Sequence, residues 1–253
     1  MRKLRDYRLV CLFFWLFVWE FAARRIDNAI LLVSPLQTLA ALGTLIRQTS
    51  FWESILFSFV RITAGFLLAL FAGTVLAVLS WLSPLIEALL SPLLRLIKAI
   101  PVASFIILAL LWVSSRNLSV LISFFMVLPI VYTNLLSGIR ETSKELLEMA
   151  QVFQIPFLRR LRYLYLPAVL PYLLSACSLG LGLCFKSGIA AEIIGLPSGS
   201  IGERLYEAKL YLMTPDLFAW TFVIVGISFL LEFLVMRLLR ILVNHFLSVK
   251  INK

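Results

Sequence analysis

The chain has 253 residues, of which 62% are hydrophobic and 14% charged, and its formal net charge is +10. A soluble domain sits near a quarter charged, so this composition excludes one and points to lipid as the solvent. The positive balance does not call for nucleic acid, because Lys and Arg collect in the loops that a membrane protein keeps in the cytoplasm.

In chain order, Arg2, Lys3, Arg5 and Arg8 precede an apolar run over 9–23, which Glu20 interrupts. There is no small-x-small cleavage site and Arg24-Arg25 follows directly, so the run reads as a retained first span with its N-terminus inside rather than a signal peptide. The mixed segment 26–53, with Pro35, reads as an external loop with room for a short surface helix. A second span is expected over 55–82. Arg61 lies within it, and reaches the outer interface or faces protein, because arginine is costly in lipid. Gly65 and Gly73 on the same helix would admit a close neighbour.

Pro84, Glu87, Pro92, Arg95 and Lys98 mark an inner turn before a short third span over 99–113. Ser114 to Asn117 make an external turn, and a fourth span covers 118–136. A fifth is expected over 168–185. The run from Lys186 to Gly202 is rich in glycine and punctuated by Pro197, and reads as a broken membrane segment rather than one lipid-facing helix. A last span covers 217–239, followed by Arg240, Lys250 and Lys253. Six spans put both termini and the loop 138–167 on the side that carries most of the basic residues. The fold class is therefore an all-α integral membrane protein of about six spans, forming one transmembrane domain over 1–253.

The loop 138–167 is the one long polar interruption, and it reads as two short amphipathic helices. Thr142 and Glu145 have the spacing of a capping box. Leu146, Met149, Ala150 and Phe153 recur at helical spacing as one apolar face, with Lys144 and Glu148 opposite. Pro156 ends this helix and starts the next, which carries Arg159, Arg160 and Arg162; Pro167 then stops the second helix and opens the next apolar run.

Within this loop Glu148-Met149-Ala150, Gln154, Leu164 and Leu166-Pro167 stand at the intervals of a known motif. They resemble the EAA loop of ATP-binding-cassette (ABC) importer permeases, which reads Glu-Ala-Ala, three residues, Gly, nine residues, Ile, one residue, Leu-Pro. The chain departs from it at Met149, Gln154 and Leu164. With Gln154 in place of Gly, Pro156 is expected to make the turn instead. A second run, Ala191-Glu192-Ile193-Ile194-Gly195, then Ser200-Ile201-Gly202, Ala208 and Thr214-Pro215-Asp216, resembles the pattern that follows the EAA loop in the nitrate/sulfonate/taurine group of these permeases.

The resemblance implies a permease subunit of a bacterial inner membrane, dimeric as a rule, working with a cytoplasmic ATP-binding subunit and an extracytoplasmic substrate-binding protein. Glu148, Met149, Ala150, Phe153, Gln154, Pro156, Leu164, Leu166 and Pro167 are then the expected coupling residues. The chain has no GxxxxGK[ST] loop, so ATP and Mg would be used by the partner and no cofactor is expected here. For the translocation path or gate the candidates are Lys186, Glu192, Gly195 and Gly202. Lys186 would attract an anion or else reach to the surface, and Glu192 would hold a turn or a gate or else cap local backbone.

Three cysteines in apolar runs without a CxxC pair (Cys11, Cys177 and Cys184) read as buried structural thiols. The tryptophans (Trp15, Trp19, Trp52, Trp81, Trp112 and Trp220) read as an interfacial belt, and Glu232 as a polar contact between helices. With His245 the only histidine and no GxSxG, HExxH or clustered acidic site, a membrane enzyme is disfavoured. A secondary transporter working without ATP remains the alternative, although the halves show no convincing repeat. Substrates in the resembling group are nitrate, sulfonates, taurine, bicarbonate-like anions or thiamin-pyrimidine precursors.

Overall fold

The computed structural model describes the backbone of residues 2–28 and 30–248, and the side chains within 10–241 apart from 12 and 29. The described residues form eleven α-helices and one π-helical turn. They are α1 (Arg2–Ile26), α2 (Pro35–Leu45), α3 (Thr49–Leu82), α4 (Pro84–Ala99), α5 (Val102–Ala109), α6 (Ser115–Arg140), α7 (Lys144–Val152), α8 (Phe157–Arg160), α9 (Leu166–Gly195), α10 (Ile201–Leu210) and α11 (Thr214–Ser248). The π-turn, Leu161–Tyr165, joins α8 to α9.

The core is a three-helix seam in which α6 runs between α3 and α9. On α3, Ser54, Ser58, Ile62, Gly65, Ala69, Gly73, Ala77 and Ser80 are buried at intervals of three and four, so one narrow face of small residues meets α6. Lipid tails are as apolar as leucine, so helices here associate by close packing and by polar contacts rather than by hydrophobic contrast. At Gly65 an added Cβ would lie 2.5 Å from the Val120 carbonyl oxygen and 2.8 Å from Ser123 Cβ. Two hydroxyls of α6 tie it to its neighbours: Tyr132 donates to Ser80 (3.0 Å) and Ser123 donates to the Cys184 carbonyl (3.1 Å).

Among the described residues four helices are long and apolar enough to cross a membrane, five if the bent pair α4 and α5 counts as one. The third expected span, 99–113, is not straight: α4 and α5 meet at 104° about Ile100 and Pro101. Pro101 cannot donate an amide and biases Ile100 to an extended backbone, observed at ψ 127°. The first expected span is helical as part of α1, but α1 is not among the four.

The largest departure is at the end of the fifth span. Lys186 to Gly195 is not broken; it continues α9, and the stretch from Phe157 to Gly195 is one helical run of 39 residues. Gly188 and Gly195 are contact points, not breaks. A Cβ at Gly188 would meet Ile62 at 2.6 Å, and one at Gly195 would meet Leu118 at 2.7 Å. The chain turns only at Leu196 (φ 49°), ahead of Pro197. Pro167 likewise sits in the first turn of α9 and does not stop the preceding helix. The π-turn carries the chain into it, so α8 and α9 are continuous.

Two smaller expectations also change. Trp220 is 3% exposed and its ring packs on Phe51 at 4.9 Å, so it belongs to the core and not to a belt. Cys177 and Cys184 are buried, whereas Cys11 is exposed on α1. Glu232 accepts the Ser178 hydroxyl at 2.7 Å, which is the contact between α9 and α11 expected of it. The His245 side chain and Lys250 and Lys253 lie outside the described residues.

Candidate functional site

The polar loop runs from the end of α6 to the start of α9 and carries α7, α8 and the π-turn. Helix α7 is capped by Ser143, not Thr142: the Ser143 hydroxyl accepts the Leu146 amide (3.3 Å), while Thr142 is buried with its hydroxyl unpartnered. Ser143 also donates to the Glu145 carboxylate, and this bond first, then the residue's own amide, holds Glu145 below its ordinary range. Arg140, at the end of α6, pairs with Glu87 on α4 and fastens the base of the loop.

The turn between α7 and α8 is made at Gln154. Its φ is 51°, the left-handed region that glycine enters freely. The Ile155 amide reaches back to the Ala150 carbonyl (2.9 Å) and the Gln154 amide to that of Gln151 (3.0 Å), the paired bonds of a Schellman cap. Pro156 follows in an extended conformation as the cap of α8 and does not replace the turn. Because a side chain in this region is strained, Gln154→Gly is expected to stabilise the protein by about 1 kcal/mol, a rise of roughly 2–4 °C in Tm. Thermal unfolding of the purified variant checks this; Gln154→Val should move Tm the other way.

The four residues expected to share one apolar face of α7 divide. Ala150 is fully buried, whereas Leu146 and Met149 are exposed and Phe153 is 72% exposed. Val152 (78%) and Leu158 (76%) join them, so the tip of the loop is an open apolar cap spanning both helices. Glu148 stands exposed beside it with no ion pair, and Lys144 does not reach it. Leu166 is exposed at the start of α9, and Leu164, in the π-turn, is half-buried.

At the other end of α9, Glu192 is fully buried. Along the helix it lies roughly 40 Å from Leu166, more than a hydrocarbon core of about 30 Å. Its Oε2 accepts the Ser58 hydroxyl at 2.6 Å and the Gly202 amide at 3.4 Å, and Ser58 in turn accepts the Ile201 amide at 2.9 Å. One carboxylate thus joins α9, α3 and the N-terminus of α10, where free amides and the helix dipole favour negative charge. The Ser119 hydroxyl of α6 faces the same carboxylate, and both it and Glu192 Oε1 lack a partner within hydrogen-bond distance. At Gly202 an added Cβ would come within 2.4 Å of Glu192 Cβ and 2.5 Å of its carbonyl carbon, so α10 can start here only on glycine.

Arg61 stands beside this node. Its Nε donates to the Arg116 carbonyl (2.8 Å) and its guanidinium lies over Phe57 (3.8 Å), so the charge is held against protein at the start of α6. Lys186 is exposed on α9 and is not brought to Glu192. The structure therefore gathers Glu192 and Gly202 into one site, sets Gly195 against α6, and leaves Lys186 apart. Ser58 and Ser119 were not singled out from sequence. The available signal was the spacing of Ser54, Ser58, Ile62 and Gly65, a polar hydroxyl run on the small-residue face of a membrane helix.

These features define a helical membrane protein with a projecting loop at one end and a polar clasp at the other. Residues 65–247 match the family of the binding-protein-dependent transport system inner membrane component, and the chain belongs to that family. It is 26% identical over 220 residues to the taurine transport system permease protein TauC of Escherichia coli (strain K12), covering 85% of this chain and 80% of that one. A permease of Bacillus subtilis (strain 168) named for aliphatic sulfonates transport, SsuC, is 28% identical over 76% of this chain and 70% of its own. Among solved structures, a bacterial ABC transporter involved in the import of the acidic polysaccharide alginate shares the fold, with a TM-score of 0.56, 15% identity, and coverage of 98% of this chain and 97% of that one.

Proposed function

We propose that this chain is the membrane subunit of an ATP-driven importer for a small anion, and that the α7–α8 projection couples it to a cytoplasmic ATP-binding subunit. The observation that carries the reading is the open apolar cap of Met149, Val152, Phe153 and Leu158, with an unpaired Glu148 at its rim. Large apolar side chains clustered on a loop beyond the lipid are the mark of a surface meant to be covered. Because α8 runs without interruption into α9, a push on the cap would be delivered to the whole span and to the Glu192 node at its far end.

Two copies of the permease, two ATP-binding subunits and an external binding protein make up the assembly in this reading. ATP and Mg act in the ATP-binding subunits. Both termini and the projection face the cytoplasm, as the basic residues Arg95, Lys98, Arg140, Arg159, Arg160 and Arg162 around the projection favour. Glu192 fastens the outer end of the path. The anion class is supported by relatives named for taurine, sulfonates, nitrate and bicarbonate.

The experiment is co-purification with the ATP-binding subunit of the same transporter, comparing the native chain with Glu148→Arg and Phe153→Asp. Removing an anchor of hot-spot size should weaken the complex by about 30-fold, with ATP-dependent uptake falling in parallel and the fold retained. An intact complex and unchanged uptake would place the contact elsewhere. Uptake that proceeds in vesicles without ATP would turn the reading to a secondary transporter.

A further inference from the structure

Lys186 and Glu192, in the outer part of α9, lie on different faces of the helix. Glu192 turns into the bundle and is held there through its Oε2, whereas Lys186, about 120° around the helix from it, turns out. Lys186 is exposed, and among the described residues no carboxylate pairs with it and no acceptor takes a hydrogen bond from it. Ser175, Leu179, Gly182, Lys186 and Ile193 recur at helical spacing and form the open face of α9. One turn from Lys186, a Cβ added at Gly182 would meet nothing within 4 Å, so the ammonium has free space beside it.

The depth of Lys186 follows from its neighbours. Ser123 binds the Cys184 carbonyl, so this part of α9 is level with Ser123, which lies about 12 Å along α6 from Ser115. Lysine close to a membrane surface ordinarily reaches out to it. Here the Cα–Cβ bonds of α9 tilt toward its N-terminal, inner end, so the side chain sets off toward the bilayer middle rather than the nearer surface. An ammonium at this depth is costly in lipid and is favoured by water or a counter-charge.

We infer that this face of α9 lines an aqueous path and that Lys186 is its anion-binding residue, receiving a small oxyanion in the space over Gly182. The assignment rests on the importer reading for the existence of a path and for an anionic solute; it adds which helix face lines the path and which residue meets the solute. The Glu192 carboxylate does not compete, because it is turned away and held by the Ser58 hydroxyl and the Gly202 amide.

The test uses the assembled transporter in native membranes, with Cys11, Cys177 and Cys184 replaced and Gly182→Cys introduced, a change the open space accommodates. Thiol modification is timed with an anionic and a cationic methanethiosulfonate, each rate scaled to that of the same reagent with a small free thiol. The expected result is reaction with both, a preference of about fivefold for the anionic reagent, and loss of that preference when Lys186→Gln is added. Lys186→Arg should keep it. No reaction with either reagent, at rest or during ATP turnover, would show that the face is dry and would overturn the inference. So would equal scaled rates with Lys186 present, or a preference that survives Lys186→Gln. Failure of the importer reading shows separately, as uptake that does not need ATP, and leaves the thiol rates interpretable.

Discussion

Glu192→Ala is expected to destabilise the protein by roughly 2–4 kcal/mol and to abolish uptake. The substitution takes away the acceptor shared by the Ser58 hydroxyl and the Gly202 amide, in a site where no water-facing surface is left to replace it. Ser58 then loses its orientation toward the Ile201 amide, and α10 loses its hold on α3 and α9 together. Glu192→Gln separates charge from hydrogen bonding. The amide oxygen can keep the Ser58 and Gly202 bonds, and the NH2 group would stand where Oε1 now lacks a partner, facing the equally unpartnered Ser119 hydroxyl. Glu192→Gln should therefore retain most of the stability that Glu192→Ala loses. Thermal unfolding of the two purified variants decides it: equal losses would mean that the carboxylate charge, and not the set of bonds, holds the node.

The second large effect is expected at the helix seam. Gly65→Val puts a branched side chain where even a Cβ would sit 2.5 Å from the Val120 carbonyl oxygen. That neighbour is backbone and cannot rotate away, so α3 and α6 have to separate along their length. Overpacking in a relaxed core costs about 1–3 kcal/mol, and a clash with backbone belongs at the upper end or above it. The expected outcome is little folded protein recovered from the membrane. Gly182→Ala is the matched control, since a Cβ there meets nothing and alanine favours the helix by up to about 1 kcal/mol. If both variants express and unfold alike, close approach at Gly65 is not what joins the helices.

Much of the architecture was legible because its causes are local. Hydropathy over about twenty residues marks a span without knowledge of neighbours, and α3, α6, α9 and α11 contain the expected second, fourth, fifth and last spans. The intervals from Glu148 to Pro167 were sufficient for the family, which the match over residues 65–247 shows. Glycine, in contrast, was ambiguous: the whole run from Lys186 to Gly202 looked like a broken segment because glycine ends helices and also lets them touch. Only its second part, from Leu196, leaves the helix. In α9 the second use prevails, and the break falls at Leu196, which carries no turn signal of its own beyond the Pro197 that follows. At Gln154 the error ran the other way, since a residue with no preference for positive φ takes it where two helices must reverse.

By itself, then, the sequence determined that this is an all-helical membrane protein with a polar projection and a permease pedigree, because composition, hydropathy and motif spacing are read along the chain. Only the tertiary structure decided the 104° bend between α4 and α5, the capping of α7 by Ser143, and the different environments of Lys186 and Glu192 on α9. Ser58 meets Glu192 across 134 positions of chain, and Ile201 meets Ser58 across 143. Such pairings follow from the packing of α3, α6 and α9, and no local pattern of residues encodes them.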